Sequence, residues 1–281
     1  YNSANIRQAD GTRPELLVYA GVRAEKYLAN RFPDRDRQIT EEAARNIRRI
    51  APEKLVLIST VDVWGDHFPA YEDEEPATEG LHAYGLNRLL LEREVRRDFP
   101  DALIVRLPGL YGQGLKKNFL YDLMSVSPAL LTKEKYEELA PASRLIAQSY
   151  EPRADGFFAL TKPSEELKRA FENAGFTALC FTDSRARFQF YPLTRLQADL
   201  WRAMDVGITL LHAATEPVTA AQVYRAVRGS GFHNELSKPV PSYDLRTRYA
   251  AELGGKADYL VGADEVLADI RAYVLAREGR P

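Results

Sequence analysis

The stretch Lys54-Leu55-Val56-Leu57-Ile58-Ser59-Thr60-Val61-Asp62-Val63-Trp64-Gly65 decides the fold. Residues 55–58 are apolar without alternation, the pattern of a strand covered on both faces in a parallel sheet. Upstream, Leu16-Leu17-Val18-Tyr19-Ala20-Gly21 reads the same way, and downstream so does Ala102-Leu103-Ile104-Val105-Arg106. A helix is predicted at about 36–50, with Ile39, Ala43, Ile47 and Ile50 on one face and Pro52 as its terminator. A second is predicted at about 83–97, with Tyr84, Leu89, Leu91 and Val95 turned partly inward. Strands that alternate with helices predict an α/β fold with a doubly wound parallel sheet.

After residue 115 the pattern turns mainly helical and irregular. Phe119-Leu120, Leu123-Met124 and Leu130-Leu131 form one apolar series, and a helix is expected over 134–147. Ser164 before Glu165 and Glu166 reads as a helix cap with two acids in the first turn. Strand-like segments return at 178–182, 188–191 and 207–213, and helices near 194–205, 219–228 and 263–277. The expected division is a sheet domain of residues 1–115 plus about 178–215, and a smaller, mainly helical part of 116–177 plus about 216–281.

Composition narrows the class. The chain has 281 residues, 38 basic and 40 acidic, for a net charge of −2, and is 45% hydrophobic. That near-neutral balance gives no support for a nucleic-acid or anionic-membrane partner. The single cysteine, Cys180, makes neither an internal disulfide nor a zinc–thiolate cluster, so a reducing compartment, the cytoplasm, is expected. Cys180 itself reads as buried strand core. His67, His82, His212 and His233 lack ligand spacing, so no metal site is expected. The run Glu72-Asp73-Glu74-Glu75 reads as a solvated loop, and residues 243–249 as a polar segment facing solvent.

Chemistry gathers around the deciding strand. Thr60 stands at its carboxyl end, where open α/β sheets bind ligands. Tyr84 follows 24 positions later, and Arg88 four beyond it. At i and i+4 on a helix the two share a face, so the cation can stabilise a phenolate. Together with Thr60 they form a candidate acid–base set around a carbonyl or alcohol.

These residues resemble the extended short-chain dehydrogenases/reductases, the NAD-dependent nucleotide-sugar epimerases and dehydratases. Residues 57–65 resemble that family's strand ending in Ser-Ser/Thr-x-x-Val-Tyr-Gly, and Tyr84-Gly85-Leu86-Asn87-Arg88 its Tyr-x-x-x-Lys. Arg106-Leu107-Pro108-Gly109-Leu110-Tyr111-Gly112 resembles the next strand-to-loop signature, Asn118-Phe119 the substrate-loop Asn, and residues 16–21 a strand passing under the dinucleotide. Arg187, opening Arg187-Phe188-Gln189-Phe190, resembles a pyrophosphate-contacting Arg.

The resemblance implies a Rossmann-like fold and an enzyme that uses NAD or NADP on a nucleotide-activated sugar. Epimerisation is its first implied reaction and ketone reduction its second, with a non-catalytic scaffold as the rival reading. Tyr84 would be the general acid/base, Thr60 would bond the same oxygen, and Arg88 would take the place of the Lys. Asp62 would stand where dehydratases carry a catalytic acid. Ala20, Gly21, Ser59 and Pro108 would border the cofactor with Tyr84 and Arg88, while Asn118 and Arg187 would touch substrate. A homodimer paired through the helix of Tyr84 is implied as well.

Three positions depart from the family pattern. Arg replaces Lys at 88, Gly109 stands where Asn is common, and Val61 where dehydratases have Asp. No Gly-x-x-Gly-x-x-Gly turn is present. The chain opens on Tyr1 and has methionine only at 124 and 204, so a preceding strand–glycine turn–helix of roughly 25–30 residues is expected. Tyr1-Asn2-Ser3 reads as the tail of an early strand.

Overall fold

The deciding stretch folds as the second strand of a four-stranded parallel sheet in the computed structural model, which describes residues 1–115 and 117–279. The strands, in spatial order, are β1 (Leu16–Tyr19), β2 (Lys54–Thr60), β3 (Leu103–Leu107) and β4 (Leu210–His212). Leu17 pairs with Leu55, Leu57 with Ile104 and Val105 with Leu211, all in parallel. Every residue of β3 is buried, so nothing in its sequence needs to alternate.

Helices α1 (Lys26–Arg31) and α2 (Pro33–Ile50) connect β1 to β2, and α3 (Ala83–Asp98) connects β2 to β3. Pro33 opens α2 with Asp34 and Asp36 in its first turn, and Arg48 and Arg49 close it, so both ends oppose the helix dipole. Ala43 and Ile47 of α2 meet Leu55, Leu57 and Ile104 of the sheet and Leu91 and Val95 of α3 in one core. Each large aliphatic side chain buried there contributes about 1.5–3 kcal/mol.

The chain divides into two compact units. The first, Tyr1–Leu110, Phe188–Pro217 and Pro241–Val266, holds the parallel sheet. Its third stretch was expected in the substrate-binding part, and hydrogen bonds explain the difference. The Ala70 N–H donates to the Asp244 carbonyl (3.2 Å), and the Arg246 N–H to the Ala70 carbonyl (2.9 Å). The buried Gln189 amide donates to the carbonyls of Leu245 (2.7 Å) and Thr215 (2.5 Å) and accepts the Leu245 N–H (2.7 Å).

The second unit comprises Tyr111–Arg187, Val218–Val240 and the chain from Leu267 onward. It contains an unforeseen three-stranded antiparallel sheet: Leu130–Thr132, Phe157–Leu160 and Tyr150–Pro152. Leu131, Ile146, Tyr150, Leu167 and Phe171 form its core. The helix expected over 134–147 is broken into Lys133–Leu139, a 3-10 turn at Ala140–Ala142 and Arg144–Ser149, because Pro141 cannot donate the bond that would continue it.

Two other local expectations change. The strand expected at 178–182 is a 3-10 turn, Ala178–Phe181, and Cys180 is partly exposed there, its sulfur accepting the Thr177 N–H. Four apolar residues are too few for periodicity to separate turn from strand. Tyr1-Asn2-Ser3 is exposed and carries no strand. Ser164 caps Glu165–Asn173 as expected, accepting the Leu167 N–H at 3.1 Å. Helices Leu193–Asp205, Ala220–Arg228 and Ala263–Arg277 fall within a residue of their expected spans. Among the described residues no helix is long and apolar enough to cross a membrane.

Candidate active site

β2 delivers Thr60 to the carboxyl edge of the sheet. There the Thr60 hydroxyl accepts the Asp62 N–H at 3.2 Å and caps a 3-10 turn, Val61–Trp64. α3 starts against this turn: His82 Nδ1 accepts the Gly85 N–H (3.2 Å), and the Tyr84 N–H donates to Asn30 Oδ1 of α1 (3.0 Å). Gly85 makes the contact possible. A Cβ on it would lie 2.1 Å from the Asp62 carbonyl oxygen, so only glycine lets α3 bring Tyr84 this near Thr60 and Asp62.

Tyr84 and Arg88 share a helix face, and the guanidinium lies 3.7 Å from the centre of the phenol ring. Burial pushes the Tyr84 phenol above its ordinary value. Arg88 opposes this, Asp62 adds to it, and hydrogen bonding with Thr60 opposes it again. Burial prevails, so the phenol keeps its proton at neutral pH.

Arg88 is engaged on every terminal N–H. It bonds Asp36 through both oxygens (2.8 and 3.1 Å), the Tyr84 carbonyl (2.9 Å) and the Arg23 carbonyl (2.6 Å). Asp36, also buried, takes the Asn87 amide at 2.9 Å. Arg88 therefore acts on Tyr84 by charge and stacking while it fastens α3 to α2.

Asp62 is the hub of the site. One oxygen lies 2.6 Å from Lys26 Nζ, 3.4 Å from the Tyr243 hydroxyl and 3.9 Å from His82 Nε2; the other accepts from Thr60 at 3.4 Å. Burial works against the Lys26 charge, Asp62 and Tyr243 together outweigh it, and the ammonium is held above its usual value. Burial, then Lys26, pulls His82 down.

Sequence reasoning missed Lys26 and Tyr243. The segment 243–249, expected in solvent, instead buries Leu245 completely and packs Tyr243 against the rings of Phe68 (5.5 Å) and Phe188 (6.4 Å). Lys26 Nζ and the Tyr243 hydroxyl, 217 residues apart, lie within 3.3 Å. No local pattern marks either.

The other sequence-predicted residues take varied places. Ser59 turns inward: its hydroxyl donates to Glu92 at 2.5 Å, and Glu92 holds Arg106 in a fully buried ion pair at 2.7 Å. Ala20 and Gly21 line a groove of about 860 Å³ beside β1, together with Ile39, Ala43 and Asn46 of α2. A Cβ on Gly21 would meet the Tyr19 ring at 3.3 Å. Pro108 is buried after β3. A Cβ on Gly109 would come within 2.9 Å of the Gln189 carbonyl, which accounts for glycine where the family often has Asn.

Asn118 and Arg187 lie in the second unit. Asn118, at φ +94°, caps Phe119–Ser125 by accepting the N–H groups of Leu120 (3.0 Å) and Tyr121 (3.3 Å). Arg187 is exposed on strand Arg187–Phe188. The acidic run is less solvated than expected. Glu72 accepts the N–H groups of His212 (2.8 Å) and Arg248 (3.0 Å), and burial raises its carboxyl. Among the described residues no group of His, Cys, Asp and Glu is placed to hold a metal ion.

Residues 3–130 match the family described as RmlD substrate binding domain. No curated protein matches the chain. A solved dTDP-4-dehydrorhamnose reductase from Yersinia enterocolitica superposes with a TM-score of 0.61 at 16% identity, covering 96% of this chain and 84% of that one. The UDP-glucose 4-epimerase of Thermotoga maritima, solved with UDP-glucose, gives 0.62 at 13% identity over 99% and 83%. RMD from Pseudomonas aeruginosa, solved with NADPH, gives 0.61 at 11% over 99% and 86%. Residues 3–130 thus match that family's model, and the chain as a whole has the fold of these solved structures.

Proposed function

We propose that this chain carries out nicotinamide-dependent chemistry between a ketone and an alcohol on a nucleotide-activated sugar, with reduction of the ketone as its forward direction. One observation carries the reading: a buried, protonated Tyr84 phenol beside Thr60 at the carboxyl end of β2, with Arg88 stacked on its ring. A phenol that rests protonated is prepared to donate. That suits the reduction of a ketone, in which the phenol supplies the proton.

The residues divide the work. The Thr60 hydroxyl orients the substrate oxygen, and Tyr84 gives it a proton as negative charge develops there. The fixed Arg88 charge stabilises the phenolate left behind. NAD or NADP, when bound, supplies the hydride. The residues present fit such a group. Ala20 and Gly21 wall the groove beside β1, whose volume of about 860 Å³ lies within the range of ligand pockets. Ser59 and Arg88 would contribute to the site through position and charge, since Glu92 and Asp36 engage their donors. The exposed Arg187 fork suits a diphosphate, and Asn118 is a second candidate for substrate contact. The relatives solved with UDP-glucose and with NADPH support the substrate and cofactor classes.

The test offers NADH and NADPH with a panel of UDP-, GDP- and dTDP-linked keto sugars. Consumption of the reduced cofactor is expected. Tyr84→Phe is expected to lower kcat by about 10²–10⁴-fold with an unchanged circular dichroism spectrum. Interconversion of sugars without net cofactor consumption would select epimerisation instead. Absence of dinucleotide binding by calorimetry together with absence of turnover would defeat the reading.

A further inference from the structure

We infer that a cavity of the second unit, lined by none of the residues assigned to the reaction, is a binding site for a neutral oligosaccharide. The inference stands on the chemistry of the cavity itself and is independent of the activity proposed above.

The cavity holds about 870 Å³. That lies toward the upper end of the range of small-molecule sites, so several sugar rings fit rather than one. Much of its wall comes from the helices Phe119–Ser125, Glu165–Asn173 and Ala220–Arg228, and from the carboxyl end of Ala263–Arg277. Its less polar lining includes Met124, Leu179 and the rings of Tyr121 and Tyr224. Tyr224 is held by its stack on Phe232, with centroids 5.2 Å apart and planes at 24°, and Phe232 lies in turn 6.0 Å from Phe119. Both tyrosines are half-buried, and among the described residues neither hydroxyl has a hydrogen-bond partner.

Charge decides which class of ligand fits. Among the described residues the walls carry three acids, Glu165, Glu172 and Glu278, and three bases, Lys168, Arg228 and Arg277. Two of the bases are engaged within the walls. Arg228 bonds Glu278 through two contacts of 2.7 Å and the Leu123 carbonyl at 2.8 Å, and Lys168 bonds Glu165 at 2.7 Å. That leaves one exposed guanidinium, Arg277, beside the Tyr273 ring at 5.8 Å, and one exposed carboxylate, Glu172, which acts on Arg228 by charge alone.

A nucleotide or other anion is drawn by an excess of positive charge, and here the sum is zero. A sugar hydroxyl both donates and accepts, so it can use the guanidinium N–H groups and the carboxylate oxygens alike. The faces of a sugar ring carry C–H groups, and Tyr121 and Tyr224 meet them with an apolar ring and an unused hydroxyl. A charge-balanced wall with aromatic rings and one free group of each sign therefore suits a neutral, hydroxyl-rich ligand.

The test titrates the full chain with maltotriose, cellotriose and triacetylchitotriose, and with uridine monophosphate and glycylglycine as charged comparators. Calorimetry gives the affinities, and NMR of carbon-13-labelled tyrosine gives the place of binding. At least one trisaccharide is expected to bind, shifting the ring signals of Tyr121 and Tyr224 and leaving those of Tyr84 in place. Glu172→Ala and Arg277→Ala change exposed side chains that form no ion pair, so their circular dichroism should match that of the parent. Each should bind the trisaccharide about tenfold more weakly, the worth of one hydrogen bond to a charged group.

Failure of all three trisaccharides to bind overturns the inference. So does binding that neither substitution weakens, or binding that shifts Tyr84 and spares Tyr121 and Tyr224. Uridine monophosphate or glycylglycine held at these two tyrosines as tightly as any trisaccharide overturns it as well. No arm uses a keto sugar or a nicotinamide cofactor, so none of these outcomes bears on the role of Tyr84.

Discussion

Two residues show how narrowly this unit is set. Gly85 touches the Asp62 backbone where a methyl group would be 2.1 Å from oxygen. In Gly85→Ala the gain in helix propensity, about 1 kcal/mol, does not offset a displacement of backbone against backbone. Urea unfolding should show a net loss of about 1–3 kcal/mol, and turnover should fall at least tenfold as Tyr84 moves off Thr60. His212 behaves differently, through pH. Its Nδ1 faces the Arg246 carbonyl at 2.8 Å and its Nε2 faces Arg106 at 3.2 Å, so the neutral ring donates from Nδ1 and accepts at Nε2. Burial and then the Arg106 charge pull its pKa to about 3. In the unfolded chain a histidine titrates near 6.5, so as pH falls the unfolded state gains the proton first. Stability from this group is complete above about pH 6.5 and is lost progressively toward pH 3. Unfolding at pH 7, 5.5 and 4.5 should show that decline in the parent and a shallower one in His212→Gln.

Among elements, the join between α2 and α3 is the most exacting, because it is made inside the protein by charge. Asp36 and Arg88 are both about 95% buried. Asp36→Ala leaves a guanidinium without its carboxylate, and unfolding should register a loss of about 3–5 kcal/mol. Asp36→Leu combined with Arg88→Met should recover most of it, since the pair then needs no desolvation. The elements also show what a sequence discloses. β2 and β3 were legible because both faces are covered and every residue there answers to one demand. Tyr84 and Arg88 were legible because helix spacing fixes their common face. Asp36 was not, because its partner lies 52 residues away and nothing in α2 marks it as inward. Lys26 and Tyr243 were illegible for the same reason at a larger separation. The antiparallel strands of the second unit are three or four residues long, too short to display a period.

At the scale of the whole molecule, each unit is assembled from three separate stretches of chain. A chain ended after Pro217 keeps all four strands of the parallel sheet but loses Tyr243 and Leu245. The Gln189 amide then loses both its bonds to Leu245, and Ala70 both its backbone partners. Hydrogen exchange should find the Arg246 amide protected in the full chain, and the turn at Val61–Trp64 less protected in the shortened one. The same interleaving imposes a schedule on biosynthesis. Tyr243 leaves the ribosome 159 residues after Tyr84, which at about 5–20 residues per second is roughly 10–30 s. Throughout that interval the nascent protein already carries Thr60, Asp62 and Tyr84 but has no lysine–tyrosine contact to close around them. The turn at Val61–Trp64 thus goes without that contact until residue 243 has been made.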